Sequence, residues 1–462
     1  MALLLGRLAL ALFVALPLEG LAVGFAWAAG IDADGVGDWL LHPSVGVGQV
    51  FAAVAVVCAA VPLALALQCV AMRALGRVRP GVVGRWTLAY VRIWLKTGIL
   101  DAANTWLSGT LLWRVWLRAA GMKTGRNSEV GTILDTVPEL VEVGAGTFFA
   151  DGVYPAGPRV HRGTVTLAPT RLGDGVFLGN HAVVATGQTV PDGVLLGVCT
   201  AAGGAALRPG SSWFGHPPFE LPNREVVAAD RSVTHDPSWP RYVSRVAWEP
   251  LRFALPVVPV VLVVAWVEAV AAAAEVVSLP VLVFAVVPAL DFGFAAVLCL
   301  LVLALKWLLL GRVRPGTHPL WSCRCSRWDF HYTVWEVYAR GPLTALEGTL
   351  WLNWYLRAMG VRVGREVVLG SGFAHVVDPD MLAFADGATV SALFQAHTFE
   401  DRVLKIDRVT VGPGATLGGG AVLLYGADIG AGTRVGPHSV VMKRERLLPG
   451  RTYAGCPARP VW

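Results

Sequence analysis

Charge is what this sequence has least of. Asp, Glu, Lys and Arg make up 15% of its 462 residues, against 55% hydrophobic residues and a mean hydropathy of +0.57. Soluble domains carry about a quarter charged residues, so a wholly soluble enzyme is excluded and a membrane protein with substantial soluble parts is indicated. Lys and Arg are missing altogether from two long stretches, between Arg7 and Arg73 and between Arg252 and Lys306. The net charge of +6 gathers beside apolar runs, a pattern of membrane anchoring, and no nucleic-acid partner is expected. Metal-ligand patterning is also lacking. Of seven cysteines only Cys323 and Cys325 are close, with His318 and His331 nearby. A zinc site needs four convergent ligands at suitable spacing, so reduced cysteines and no metal are expected.

What is present is a module written twice. Residues 107–126 align with 346–365, Gly-Arg-Val-Arg-Pro-Gly at 76–81 recurs at 311–316, and Phe-Ala-Asp-Gly at 149–152 recurs at 384–387. Four apolar runs, 8–29, 45–72, 253–277 and 281–310, reach the ~20 residues that a bilayer crossing needs, the last interrupted by Pro288 and Asp291. The first has a signal-like end at residues 26–29, but the second module also opens with an apolar pair, so the first run is expected to be kept. Arg73, Arg77, Arg79 and Arg85 follow the first pair; Lys306, Arg312 and Arg314 follow the second. Both soluble regions and both termini are therefore expected in the cytoplasm, in a multi-pass protein of the cell membrane. The organisation read from this is transmembrane hairpin 1 over 1–75, a soluble region over 76–245, hairpin 2 over 246–311 and a second soluble region over 312–462. Aromatic and basic residues follow each hairpin, Trp86 to Trp116 in the first copy and Trp328 to Tyr355 in the second. They suit helices lying in the headgroup region, or else helices packed on the soluble domain.

Residues 411–440 divide into sixes, each led by an aliphatic residue that Gly usually follows. This is the hexapeptide pattern of a parallel β-helix, three sixes to a triangular coil, with coils stacked about 4.8 Å apart. The units starting at Val363 and Leu369 begin the same prism; Val143, Leu172, Leu178 and Leu196 mark a more degenerate one in the first copy. Residues 363–460 resemble the hexapeptide acyltransferases, whose fold is a left-handed β-helix and whose Gly-x-Pro-Ala-Lys/Arg closure matches residues 455–459. The expected fold is thus two tandem modules, each a transmembrane hairpin, interfacial helices and a cytoplasmic left-handed β-helix. The resemblance implies a catalytic histidine on a loop that interrupts the coils. The matching segment, residues 391–402, leaves the repeat phase and carries His397, Glu400, Asp401 and Arg402. A neutral imidazole serves as general base near pH 7, and Asp401 or Glu400 could orient it. Arg402 and Lys405 are candidates for an acidic or phosphate-bearing group. In the first copy the nearest counterpart is His161, without a following Glu-Asp; it is expected to shape or bind rather than catalyse.

Residues 135–144, 163–173, 210–222 and 397–402 resemble the C-terminal membrane region of the ε-poly-lysine synthetase type of nonribosomal peptide synthetase. The resemblance implies tandem soluble domains, framed by transmembrane helices, that join amino acids from carrier-bound thioesters to a free amine. No Gly-Gly-x-Ser carrier site and no adenylation domain are present, and there are two modules where the full pattern has three. The expected function is acyl or aminoacyl transfer from a phosphopantetheine thioester of a carrier protein, or from a coenzyme A thioester, to an acceptor amine. An adenylation and carrier protein acting in trans and a homo-oligomer are possible partners. The rival readings are a non-catalytic membrane scaffold of a synthetase and an acetyl-CoA-dependent O- or N-acetyltransferase.

Overall fold

The computed structural model describes residues 19–21, 23, 47–222, 224 and 227–461; the 8–29 run lies almost wholly outside them. The helices used below are α1 (Val47–Ala74), α2 (Leu88–Leu107), α3 (Leu111–Ala119), α4 (Trp239–Trp248), α5 (Val257–Ala274), α6 (Val287–Leu309), α7 (Cys323–Tyr338) and α8 (Leu350–Met359). Among the described residues three helical stretches, Val50–Ala74, Arg231–Ala274 and Leu279–Leu309, are long and apolar enough to cross a membrane. Pro288 does not break the last of these. A π-turn over Leu282–Val286 precedes α6 and absorbs the hydrogen bond that proline cannot donate.

The chain divides into two compact units. Residues 256–271 group with the first, while the second joins residues 227–255 to residues 272–462. The reason is local packing: Trp321 donates its amide to the Val233 carbonyl, Arg241 on α4 bonds the Trp321 carbonyl at 3.1 Å, and Trp248 packs on Phe330.

The second unit holds a three-sided parallel β-helix. One face stacks Arg362–Val363, Leu382–Phe384, Val409–Val411, Asp428–Ile429 and Arg446–Leu447. The second stacks Val368–Leu369, Thr389–Val390, Thr416–Leu417, Arg434–Val435 and Thr452–Ala454, capped by an antiparallel return, Arg459–Val461. The third stacks Leu393–Gln395, Val422–Leu424 and Val440–Val441. Register places each leading apolar residue above the one before it, as in Phe384, Val411, Ile429 and Leu447, all buried. Gly412 shows why small residues follow: a Cβ there would lie 2.7 Å from the Ala431 amide nitrogen of the next coil.

The first unit repeats the plan. One face stacks Lys123–Thr124, Val141–Val143, Thr170–Leu172 and Thr189–Val190, and another Glu129–Val130, Phe148–Phe149, Phe177–Leu178, Leu195–Leu196 and Ser212–Phe214. Each unit also has a three-stranded antiparallel insertion. In the first it is β1 (Gly81–Gly84), β2 (Arg159–His161) and β3 (Thr164–Leu167); in the second it is β4 (Gly316–Pro319), β5 (His397–Thr398) and β6 (Val403–Ile406). One apparent repeat dissolves in this comparison. Phe149 stands on the face that begins with Glu129, whereas Phe384 occupies the place of Val143. A sequence built of sixes matches itself equally well when shifted by a strand.

Candidate active site

His397 opens β5, and the elements around it are set by short-range bonds. Ser322 caps α7 by accepting the amide of Cys325. From this helix Trp335 donates to the Ala374 carbonyl at 2.9 Å, and Glu347 accepts the amides of Gly372 and Ala374. The out-of-phase loop between the first coils is thereby held, and it delivers Asp378 to the residue before a one-turn helix, Pro379–Met381. Asp378 is buried and left-handed, at φ 54°. A buried carboxylate in a strained conformation is found where surrounding contacts over-determine it.

Those contacts define the site. His397 Nδ1 lies 2.8 Å from Asp378 Oδ2, and Trp328 Nε1 on α7 donates to Asp378 Oδ1 at 2.8 Å. Trp328 also meets the His397 imidazole edge-on at 5.0 Å and Phe399 at 5.8 Å. With Nδ1–H donated to the carboxylate, Nε2 is the nitrogen with a free lone pair, the arrangement that a general base requires. Asp378 thus fixes the orientation of the imidazole. Behind it, Tyr332 stacks on His375 at 4.2 Å, and His375 Nδ1 lies 2.8 Å from Glu336 Oε2. Burial would raise the Glu336 carboxyl, but its bonds to His375 and Arg340 outweigh this and hold it below its ordinary value. His318 on β4 is pushed below its ordinary value by burial and by Arg324, with Asp378 opposing.

The carboxylate on the imidazole is thus Asp378, not Asp401 or Glu400. Glu400 is buried, with Lys443 on one oxygen and Lys405 on the other at 3.3 Å. Arg402 and Lys405, expected to meet a charged ligand, are only 2% and 3% exposed. Lys405 is committed to Glu400, and the backbone carbonyl of Arg402 accepts the Leu320 amide. These groups anchor the loop after His397. Asp401, at φ 55°, lies with Arg402 in the field of His235, which burial first and Arg402 next push below its ordinary value while Asp401 opposes. Cys323 is exposed, whereas Cys325 is buried and donates to the Pro319 carbonyl at 3.2 Å. Burial pushes its thiol up to about 11.

The first unit carries the same frame without the site. His161 lies exposed on β2 opposite Thr164 at the hairpin tip, while His397 lies opposite Ile406 at the hairpin base. Extending the β2–β3 register by one residue puts Pro158 in the place of His397. Val137 stands before the helix Pro138–Leu140 where Asp378 stands before Pro379. Ile93 occupies the position of Trp328, counted from the caps Thr87 and Ser322. Ile93 and Val137 belong to one buried cluster with Val78, Leu140, Val165 and Leu167. An apolar core fills what in the second unit is a polar site. A buried ion pair has changed partners too: Lys96 on α2 holds Glu139, but in the second unit Lys306 on α6 holds the equivalent Asp380 at 2.9 Å. His331, at the position of Lys96, instead bonds the Val302 carbonyl.

Over 403 residues, 84% of its length, the chain is 31% identical to the delta-poly-L-ornithine synthetase of Acinetobacter baumannii (strain AB307-0294). It is related to a poly-amino-acid synthetase. The chain spans 30% of that relative's length. No protein-family model matches it. Among solved structures, a hexapeptide-repeat acetyltransferase of Vibrio cholerae aligns at 15% identity over 36% of this chain and 91% of its own, with a TM-score of 0.21. The soybean serine acetyltransferase apoenzyme aligns at 19% identity over 46% of this chain and 76% of its own, with a TM-score of 0.19. Sequence reasoning singled out His397 through its place outside the repeat. Asp378 was missed, though it too breaks phase, between Val377 and Pro379.

Proposed function

We propose that this chain is a membrane-bound acyl or aminoacyl transferase that forms amide bonds in poly-amino-acid synthesis, working from its second unit. The observation that carries this reading is the Trp328–Asp378–His397 chain of contacts, which leaves Nε2 as the base. The acceptor amine would attack the carbonyl carbon of a thioester while Nε2 takes the amine proton. The C–N bond forms, the C–S bond breaks, and the proton passes from the imidazolium to the departing thiolate. The donor is a pantetheine thioester, borne by a carrier protein supplied in trans or by coenzyme A. The left-handed coil, the hairpin pairing of the apolar helices and the cytoplasmic placing of both units belong to the same reading, supported by the arginines that follow each apolar pair. Self-association is part of it as well.

Replacing His397 with Ala in the full chain, assayed in membranes, is expected to lower product formation about 10²–10⁴-fold. Unchanged turnover would sink the proposal and leave a scaffold. Offering an aminoacyl carrier thioester beside acetyl-CoA then tells an aminoacyl transferase from an acetyltransferase.

A further inference from the structure

The aromatic residues after the second apolar pair do not share one fate. Trp335 and Tyr338 on α7 are buried, and Trp328 holds Asp378. On α8 the outcome is opposite. Leu350, Trp351 and Trp354 are 63%, 63% and 55% exposed on one face, with the two indoles in contact at 4.9 Å. The opposite face, Leu352, Asn353, Leu356 and Met359, is buried, so α8 is amphipathic with aromatic groups outward.

This face lies beside an apolar helix. Tyr355 on α8 donates to the Cys299 carbonyl of α6 at 3.0 Å, and Trp307 on α6 donates to the Ala358 carbonyl of α8 at 2.9 Å. Cys299 stands ten residues before the end of α6 at Leu309, about 15 Å at the helical rise. Leu308 near the end of α6 is 79% exposed. At the other end of α8, Arg357 bonds the Val363 and Gly364 carbonyls of the first coil. The first unit repeats the device: Trp116 on α3 donates to the Leu65 carbonyl of α1, and Leu112 and Val115 are exposed.

We infer that the Leu350–Trp351–Trp354 face of α8 is a membrane-insertion surface, whose partner is the boundary between headgroups and acyl chains of the bilayer that α6 crosses. It rests on the reading of α6 as a membrane span. Continuity with that span is what selects lipid as the occupant, since indole and leucine beside an arginine match that boundary.

The full chain would be placed in nanodiscs of phosphatidylglycerol and phosphatidylcholine, the latter brominated near the top of its acyl chains. Tryptophan emission is quenched on contact with bromine. In the double variant Trp351→Phe/Trp354→Phe the quenched part of the emission is expected to shrink relative to the unchanged chain. An equal quenched part would overturn the inference. A photo-crosslinking residue in place of Phe292, 74% exposed on α6, reports on immersion of that helix, so failure of the span reading is seen separately. A photo-crosslinking residue in place of Leu350 should yield lipid adducts; adducts to a second copy or to another protein would overturn the inference.

Discussion

What His397 can do is decided by its Nδ1 partner. With Asp378 Oδ2 at 2.8 Å and Trp328 on the other carboxylate oxygen, ring orientation and tautomer are fixed without any contribution from Glu400, whose oxygens are held by Lys405 and Lys443. Asp378→Asn is therefore expected to lower kcat about 10²–10⁴-fold with KM little changed, because the amide can present its NH₂ and favour the wrong tautomer. Asp401→Asn should leave kcat/KM of the folded enzyme essentially unchanged. Equal losses in both variants would remove Asp378 from its positioning role.

At the scale of elements, two features make separate predictions. Helix α7 is bonded to α6 through His331, whose neutral imidazole reaches the Val302 carbonyl at 3.3 Å. Burial pushes this histidine down to about 4, from an ordinary 6.5. Between those values the unfolded chain binds a proton that the folded chain refuses, so stability is present above pH 6.5 and is lost as pH falls towards 4. The loss is of order 3 kcal/mol at most. The apparent melting temperature of His331→Asn in detergent should therefore fall less than that of the unchanged chain between pH 7 and pH 4; parallel falls would contradict the assignment. The coil stack gives the second prediction. A Cβ on Gly412 meets three backbone atoms of the next coil within 2.8 Å, while one on Gly419 meets nothing within 4 Å. Gly412→Ala is expected to cost about 1–3 kcal/mol through overpacking. Gly419→Ala should stay within about 0.5 kcal/mol, and the difference is read from thermal unfolding of the two variants.

For the molecule as a whole, duplication has preserved a scaffold and changed the side chains at one place in it. The first unit keeps the β-helix faces, the three-stranded insertion and the one-turn helix, but presents Ile93, Val137 and Pro158 where the second presents Trp328, Asp378 and His397. Filling a polar site with aliphatic side chains adds apolar burial and removes buried groups that would need partners. His161→Ala is accordingly expected to leave turnover unchanged in the same membrane assay in which His397→Ala is expected to lower it about 10²–10⁴-fold. A comparable loss from His161→Ala would show that the first unit takes part in the chemistry.

The sequence by itself determined the duplication, the apolar spans, the prism of sixes and the departure of His397 from the repeat. All of these are periodic or compositional, and periodicity is a local property of the chain. It also misled where periodicity is its own disguise, since a hexapeptide repeat aligns with itself at several offsets and paired Phe149 with Phe384 falsely. Only the tertiary structure decided which carboxylate serves His397. Asp378 precedes it by nineteen residues, about one coil of three sixes, and reaches it because successive passes of the chain round the prism stack on one another. The same folding decided which tryptophans face inward to build the site and which remain outside. That choice depends on the helix face each coil covers, and no pattern along the chain records it.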